Sequence, residues 1–218
     1  MLPAPIYLFL VGTFNFSWIG LYLLIIRRGF KDKASGIPIV ALAFNLIWDI
    51  FGAFFFPSPL GQAYFNMIFV VLNVSILAQV FCYGVPTASD TLTKWQWAVI
   101  VVSILVLGSF LYWGAIVDLN DAYGVKLAFV DTFVNSALFV NMVSQRPGVE
   151  GQSLYIGLLK LIGTSCLMIA FTFNPWPTYI GSTLQPILYV TIFLLDLVYV
   201  ALVYRRSKAL GFDPWKRF

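Results

Sequence analysis

The sequence predicts an all-α, polytopic membrane protein built as a bundle of seven transmembrane helices, and three observations support this prediction. Hydrophobic residues make up 61% of the 218 residues. Charged residues make up only 10%, whereas a soluble domain typically carries about 25%. The mean hydropathy is +0.90. Because so little polar surface cannot cover a water-exposed globule, we expect the lipid bilayer to be the solvent for most of the chain.

Seven apolar stretches are each long enough for a helix that crosses the bilayer, which needs about 20 residues. Short connections separate them, with turn residues such as Gly36, Pro57, Pro86 and Pro147, and none is long enough for another domain. We therefore predict one integral membrane domain over residues 1–218. The first stretch lacks a basic leading region, so we expect a retained helix. The predicted helices cover residues 6–26, 37–56, 62–84, 95–117, 123–144, 152–172 and 184–204.

The distribution of lysine and arginine predicts the orientation of the bundle. Basic residues near helix ends mark the cytosolic side of a membrane protein. Here they follow the first, third, fifth and seventh predicted helices, whereas the loop after the fourth carries Asp118 and Asp121. The N-terminus is therefore predicted outside and the C-terminus in the cytosol. The basic residues assigned to the cytosolic side are Arg27, Arg28, Lys31, Lys33, Lys94, Arg146, Arg205, Arg206, Lys208, Lys216 and Arg217.

Composition also excludes several classes of function. The chain has no histidine, which excludes a Ser-His-Asp triad and most zinc sites. Its two cysteines, Cys82 and Cys166, fall inside apolar stretches and are interpreted as packing residues. The net charge of +4 lies in loops and the tail, as expected of topology signals and lipid contacts, and no nucleic-acid partner is predicted. The sequence predicts no metal and no cofactor.

Four charged residues lie deep inside predicted spans, where charge is costly and commonly functional: Asp49, Asp131, Lys160 and Asp196. Lys160 is interpreted as a cation that neutralises a carboxylate, and Asp131 is expected to hydrogen-bond with Asn135 one turn later. Asp49 and Asp196 have no such partner in their own helices. Each lies about 18 Å along its helix, so both fall near the midplane, where we expect them to face one cavity. For these two aspartates, the sequence leaves two alternatives open: a structural role, or a role in catalysis or proton transport.

Polar and aromatic residues surround Asp49 in the predicted second helix. Asn45, Trp48 and Asp49 share one helix face, and Asn73 and Tyr199 are expected to join them. A carboxyl group in apolar surroundings can stay protonated and act as a general acid. A cavity with a few polar groups and many rings suits an apolar substrate that passes through a cationic state.

An ordered set of short motifs resembles the membrane-integral terpene cyclases, small seven-helix enzymes of fungal meroterpenoid and indole-diterpene pathways with bacterial relatives. The resemblance covers roughly residues 37–206. Position 49 is Asp where the family usually has Glu, and position 73 is Asn where many members have Asp. The motifs are Asn45-Leu46-Ile47-Trp48-Asp49 followed by Pro57, Asn135-Ser136, Arg146, Gly151-Gln152-Ser153, Lys160 with Gly163-Thr164, and Leu195-Asp196-Leu197-Val198-Tyr199 running into Tyr204-Arg205.

This resemblance implies a terpene cyclase that protonates an epoxide or alkene of a prenyl chain and directs carbocation ring closures. Asp49 and Asp196 would be the catalytic acids, without a metal, and rings such as Trp48 and Tyr199 would stabilise the cation. It also implies a prenylated or epoxyprenylated substrate, an upstream prenyltransferase and epoxidase, and an endoplasmic-reticulum (fungal) or plasma-membrane (bacterial) location. The predicted substrate-binding residues are Asn45, Trp48, Asn73, Asp131, Lys160 and Tyr199.

Two other classes of seven-helix protein remain open at this point. A small-solute transporter would use the intramembrane aspartates, but it predicts an internal repeat that the sequence does not convincingly show. A retinal protein needs a lysine in the last helix, and residues 184–204 contain none.

Overall fold

The computed structural model describes residues 1–56, 61–84, 92–121, 123–175 and 182–218, and this part of the chain is helical, without a strand. The all-α prediction is therefore confirmed for it. The predicted turns at Pro57 and Pro86 lie outside the described residues. The helices are α1 (Ala4–Asp32), α2 (Ile39–Ile50), α3 (Gln62–Tyr83), α4 (Lys94–Asp118), α5 (Val125–Gln145), α6 (Leu154–Phe173) and α7 (Leu184–Ala209).

Six of these helices are long and apolar enough to cross a membrane. The exception is α2, which continues into a π-helical turn at Phe51–Phe55, and together these two elements form a shorter apolar helix. A π-helical turn has one more residue per hydrogen-bonded ring than an α-helix and is frequent at functional sites. Each predicted segment thus coincides with a helix, and six of them meet the length expected of a span.

Several helices extend beyond the predicted apolar stretches. Arg27, Arg28 and Lys31 lie in the last turns of α1 and not in a loop, and Arg205, Arg206 and Lys208 lie in α7 and not in a tail. These placements correct the sequence assignment. Basic side chains stabilise the C-terminal end of a helix dipole, so the helices can continue past the apolar residues. Lys126, which the charge count omitted, lies in the first turn of α5, and its Nζ donates to the Leu119 carbonyl at 3.1 Å.

The centre of the bundle is formed by α1, α6 and α7, with α5 packed against α7. Small residues allow α1 and α6 to approach each other, because a Cβ added at Gly163 would lie 3.0 Å from the Ser17 Cβ. Large aliphatic side chains fill the core between helices, including Leu21, Ile25, Leu42, Ile76 and Ile156. In contrast, α4 is peripheral and buries few side chains, as expected for a helix that faces lipid.

Two loops approach each other closely at the end of the bundle where α1 finishes. Gly151 has φ +71°, and a Cβ at this position would lie 2.7 Å from the Gly36 Cα. We expect Gly151→Ala to lower the free energy of unfolding by about 1–3 kcal/mol, because backbone atoms must move to admit the methyl group. Thermal unfolding in detergent measures the change.

Gly61→Ala is the matched control for this prediction. Gly61 has a similar φ of +77°, but a Cβ there meets no atom within 4 Å. The control therefore has the same backbone strain without the steric clash. An equal loss of stability in both variants would contradict the packing argument.

Candidate active site

A cavity of about 140 Å³ lies between α1, α2, α3, α5 and α6. Its lining comes from the first part of α1, α3 and α5 and the last part of α2 and α6. Because these helices alternate in direction, all of the contributing segments belong to the end of the bundle where α1 begins. The cavity is mainly apolar and contains a few polar side chains, as expected of a site for an apolar small molecule.

Aromatic rings form much of the cavity wall. Phe14, Trp18 and Tyr22 follow one another at four-residue spacing on one face of α1, and Phe69 of α3 continues the row. Ring centroids are 5.9 Å apart for Phe14–Trp18, 5.6 Å for Trp18–Tyr22 and 5.7 Å for Tyr22–Phe69. The faces and edges of such rings interact with cations and with each other. Sequence reasoning missed this row, although its helical spacing was a signal.

Asp49 lies in the wall of this cavity, as do Asn45 and Trp48. The predicted shared face of α2 is therefore confirmed. Asn73, which is fully buried on α3, donates from Nδ2 to Asp49 Oδ2 at 2.8 Å, so the prediction that Asn73 joins this group is also confirmed. Trp48 donates from Nε1 to the Gly124 carbonyl at 3.1 Å, which fixes the orientation of its ring in the cavity wall.

Asp131 is a second carboxyl group in the cavity wall. The predicted hydrogen bond between Asp131 and Asn135 is wrong, because Asn135 Nδ2 donates to Asn45 Oδ1 of α2 at 3.0 Å. Within the described part of the chain, the buried Oδ1 of Asp131 has no hydrogen-bond partner. Helix α5 thus uses its amide to hold α2 and presents its carboxyl group to the cavity.

Asp196 does not line the cavity, so the prediction that Asp49 and Asp196 face one cavity is wrong. Its Oδ1 accepts from Lys160 Nζ at 2.5 Å, and its Oδ2 accepts from Thr164 Oγ1 at 2.8 Å. Lys160 Nζ also donates to Ser136 Oγ at 2.6 Å, and both charged side chains are essentially inaccessible. The interpretation of Lys160 as a neutralising cation is confirmed. This pair ties α5, α6 and α7 together.

Tyr199 also lies outside the cavity, contrary to expectation. It is fully buried, its ring packs edge-on against Phe139 at 5.2 Å, and its hydroxyl donates to Gln152 Oε1. Gln152 Nε2 in turn donates to the Gly36 carbonyl at 2.7 Å. The side chain of Tyr199 is thereby directed to the opposite end of the bundle from the cavity.

Charged groups close that opposite end. Asp32 forms ion pairs with Arg28 and with Arg217, the latter at 2.8 Å, and accepts from the Gly151 amide at 2.8 Å. Arg217 Nε also donates to the Gln152 carbonyl at 3.0 Å. Burial lowers the pKa of Arg217 from its usual value, and the charge of Asp32 opposes this shift. These contacts join the tail to the last turns of α1 and to the loop that follows α5.

Beside the cavity, three amide side chains form a cluster that sequence reasoning missed. Asn15 Nδ2 donates to the Val11 carbonyl at 3.0 Å and to Gln62 Oε1 at 2.9 Å. Gln62 Nε2 donates to Asn15 Oδ1 at 2.9 Å and to Asn66 Oδ1 at 3.0 Å. The bond to the backbone sets the orientation of Asn15 and hence of Gln62, which lines the cavity. Spacing along the sequence gave no signal, since α1 and α3 meet only in the fold.

The fold and this cavity define a class of protein: an all-helical, multi-pass membrane protein with an aromatic site that carries carboxyl groups. Among the residues that the structure describes, no group of three or more Cys, Asp or Glu residues is placed to hold a metal ion. A family model of the Pyr4-like transmembrane terpene cyclases matches residues 3–209, and the chain belongs to this family. It is a membrane terpene cyclase, and its substrate is a prenylated small molecule.

Curated relatives agree with the family assignment. The chain is 27% identical over 195 residues to the Pyr4-family terpene cyclase mfmH of Annulohypoxylon moriforme, which covers 84% of this chain and 77% of the relative. It is 24% identical over 193 residues to the terpene cyclase ascF of Acremonium egyptiacum, with coverage of 76% and 69%. For the terpene cyclase olcD of Penicillium canescens, identity is 23% over 175 residues, with coverage of 78% and 71%. No solved structure gives a significant match.

Proposed function

We propose that this cyclase protonates the epoxide or alkene of a prenyl chain with Asp49 and guides the resulting carbocation through ring closure within the aromatic cavity. The observation that carries the proposal is the position of Asp49 in the wall of that cavity, with Asn73 bonded to one of its two oxygens. A reaction of this kind needs an acid, a shape that folds the chain and a surface that tolerates cations. One site supplies all three.

The contact from Asn73 suits Asp49 to the role of acid. An amide N–H donates to the carbonyl-like Oδ2, which leaves Oδ1 to carry the transferable proton. The surrounding apolar wall disfavours a buried negative charge, so the protonated form is favoured before the reaction. On transfer, the O–H bond of Asp49 breaks. A C–H bond forms on an alkene, or an O–H bond forms on an epoxide as its C–O bond opens.

The aromatic wall suits the travelling cation. Trp18, Tyr22 and Trp48 line the same cavity as Asp49, and an aromatic ring attracts a nearby cation by about 0.5–2 kcal/mol. A row of such rings gives the cation a partner at each stage of ring closure. The low polarity of the wall also keeps water away from the reactive intermediate.

The remaining predicted site residues divide into two groups. We assign substrate contact to Asn45, Trp48 and Asp131 in the wall, and positioning of Asp49 to Asn73. Asp196, Lys160 and Tyr199 are assigned a positioning role in place of the catalytic and substrate-binding roles predicted from the sequence, because each is engaged within the bundle away from the cavity.

We further propose that the substrate comes from meroterpenoid or related terpenoid biosynthesis, in which a prenyltransferase and an epoxidase act first. The compartment is the endoplasmic reticulum in a fungus or the plasma membrane in a bacterium. Within that membrane, residues 1–218 form one domain that crosses seven times, with the N-terminus outside and the C-terminus in the cytosol. Protease protection of epitope tags at each end of the full chain tests the orientation; a protected C-terminal tag in inside-out vesicles would contradict it.

Membranes from a heterologous host that expresses the chain provide the test of function. They are incubated with prenylated and epoxyprenylated aromatic compounds, and the products are separated by chromatography and mass spectrometry. Cyclisation that ends in proton loss is an isomerisation, so the expected product has the substrate's mass but a different retention time. The absence of any mass-neutral conversion across the panel would contradict the proposal and favour transport.

A further inference from the structure

A cyclisation that ends in proton loss needs a base as well as an acid. If Asp49 starts the reaction as a carboxylic acid, another group must take a proton from the last carbocation. Carboxyl and phenol groups, amides and indoles occur in the cavity wall, and a carboxylate is the strongest base among them. Asp49 and Asp131 are the carboxyl residues in the wall.

The hydrogen bonds around Asp131 do not give its carboxyl group a structural role. Its buried Oδ1 has no hydrogen-bond partner among the described residues, although buried polar atoms are normally paired. The neighbouring Thr132 hydroxyl donates to the Ala128 carbonyl of the same helix at 2.6 Å. One turn later, the Asn135 amide donates to Asn45.

The nearest buried cation is also committed elsewhere. Lys160 donates to Asp196 and to Ser136, with both bonds at 2.6 Å or less. Lys160 is bonded to Asp196 rather than to Asp131, but its contact with Ser136 brings its positive charge to the helix that carries Asp131. That charge favours the carboxylate form of Asp131, which distinguishes Asp131 from Asp49 in the same wall. A carboxyl group that lines a cavity and has an oxygen without a hydrogen-bond partner is placed to act on whatever occupies that cavity.

We propose that Asp131 is the catalytic base that ends the cascade, an inference that rests on the proposed role of Asp49 as the acid. The Asp131 carboxylate removes a proton from a carbon adjacent to the final cationic centre. The C–H bond breaks, its electron pair forms the C=C bond, and a new O–H bond forms on Asp131. The ring system thus leaves as a neutral alkene.

The same assignment closes the cycle of protons. After one turnover Asp49 has lost a proton and Asp131 has gained one, so the total charge of the site is unchanged. Return of the proton from Asp131 to Asp49, directly or through a water molecule in the emptied cavity, restores both groups. No oxidant, metal or other co-reactant is needed for this balance.

The test compares the full chain with Asp131→Asn, using enzyme in excess over substrate so that a single turnover is observed. Initiation by Asp49 remains possible in the variant, so substrate should still be consumed. Loss of a general base typically lowers the rate of the step that it catalyses by about 10²–10⁴-fold. The normal alkene should therefore become a minor product. Alcohols heavier by one water, or alkenes with the double bond elsewhere, should replace it.

Asp131→Glu and Asp118→Asn complete the experiment. Asp131→Glu restores a carboxylate and should recover part of the normal alkene. If Asp131→Asn does not fold, the product pattern of Asp131→Glu is compared with that of the unaltered chain instead. Asp118→Asn makes the same chemical change at an exposed residue at the end of α4, and its product pattern should match that of the unaltered chain.

Two results would overturn the inference. One is an unchanged product pattern in folded Asp131→Asn, since another group would then remove the proton. The other is complete loss of substrate consumption in folded Asp131→Asn and Asp131→Glu, which would place Asp131 in initiation. Failure of the proposed function is distinguishable from both, because the unaltered chain would then give no cyclised product, or Asp49→Asn would remain fully active.

Discussion

Asp49→Asn is expected to lower the rate of cyclisation by about 10²–10⁴-fold, the range typical of losing a general acid. Asparagine has nearly the same shape as aspartic acid but offers no transferable acidic proton. Its amide can still bond with Asn73, so the wall of the cavity should keep its form. Conversion of a prenylated or epoxyprenylated substrate by detergent-solubilised enzyme, normalised to folded protein, measures the effect.

Asp49→Glu provides the informative comparison for this variant. It keeps an acid and lengthens its reach by one methylene, and glutamate is the residue that the resemblance to related cyclases leads us to expect at this position. We therefore expect substantial activity with Asp49→Glu. If Asp49→Asn and Asp49→Glu were equally active, the acid would lie elsewhere, and Asp131 would be the next candidate.

Lys160→Met is expected to lower the free energy of unfolding by about 3–5 kcal/mol, since it leaves the Asp196 carboxylate buried without its cation. The methionine side chain fills much the same volume as the lysine stem, so the effect should reflect charge rather than packing. Thermal unfolding in detergent, followed by the fluorescence of a thiol-reactive dye or by loss of soluble protein, measures it.

The double variant Lys160→Met/Asp196→Leu separates the two explanations. Replacing both partners of a buried ion pair with apolar residues is often neutral or stabilising, whereas removing one partner is not. The double variant should therefore be more stable than Lys160→Met alone. If it is equally unstable, the contacts of Lys160 with Ser136 or of Asp196 with Thr164 matter more than the pairing of charges.

The double variant also tests the role of Asp196 in the reaction. Because Asp196 lies outside the cavity wall, cyclisation per folded molecule should persist in this variant. Activity that vanished while the protein stayed folded would return Asp196 to the catalytic role that the sequence resemblance implies.

The helices and part of the site could be predicted because they depend on residues near one another in sequence. Apolar runs of about 20 residues mark spans, and the helical period places Asn45, Trp48 and Asp49 on one face. A lysine in a span needs a counter-charge, which predicted the role of Lys160 without naming its partner. These are local inferences, and the structure agrees with them.

The grouping of carboxyl groups could not be predicted in the same way. Depth in the membrane follows from position along a helix, so Asp49 and Asp196 were expected to meet. Which helices are neighbours, and which way each face points, depends on packing between elements far apart in sequence. Asp131 rather than Asp196 therefore shares the cavity with Asp49, and Asn135 bonds across to Asn45 instead of along its own helix.

The position of the cavity at one end of the bundle has a consequence for turnover. The ion pairs and hydrogen bonds around Asp32 close the other end, so we expect the prenylated substrate to enter and the cyclised product to leave at the end where the cavity lies. A flexible prenyl chain can change shape as it passes between helices, whereas a cyclised product is more rigid and needs a larger movement of the helices. We therefore expect release of the product, and not ring closure, to be the rate-limiting step of turnover.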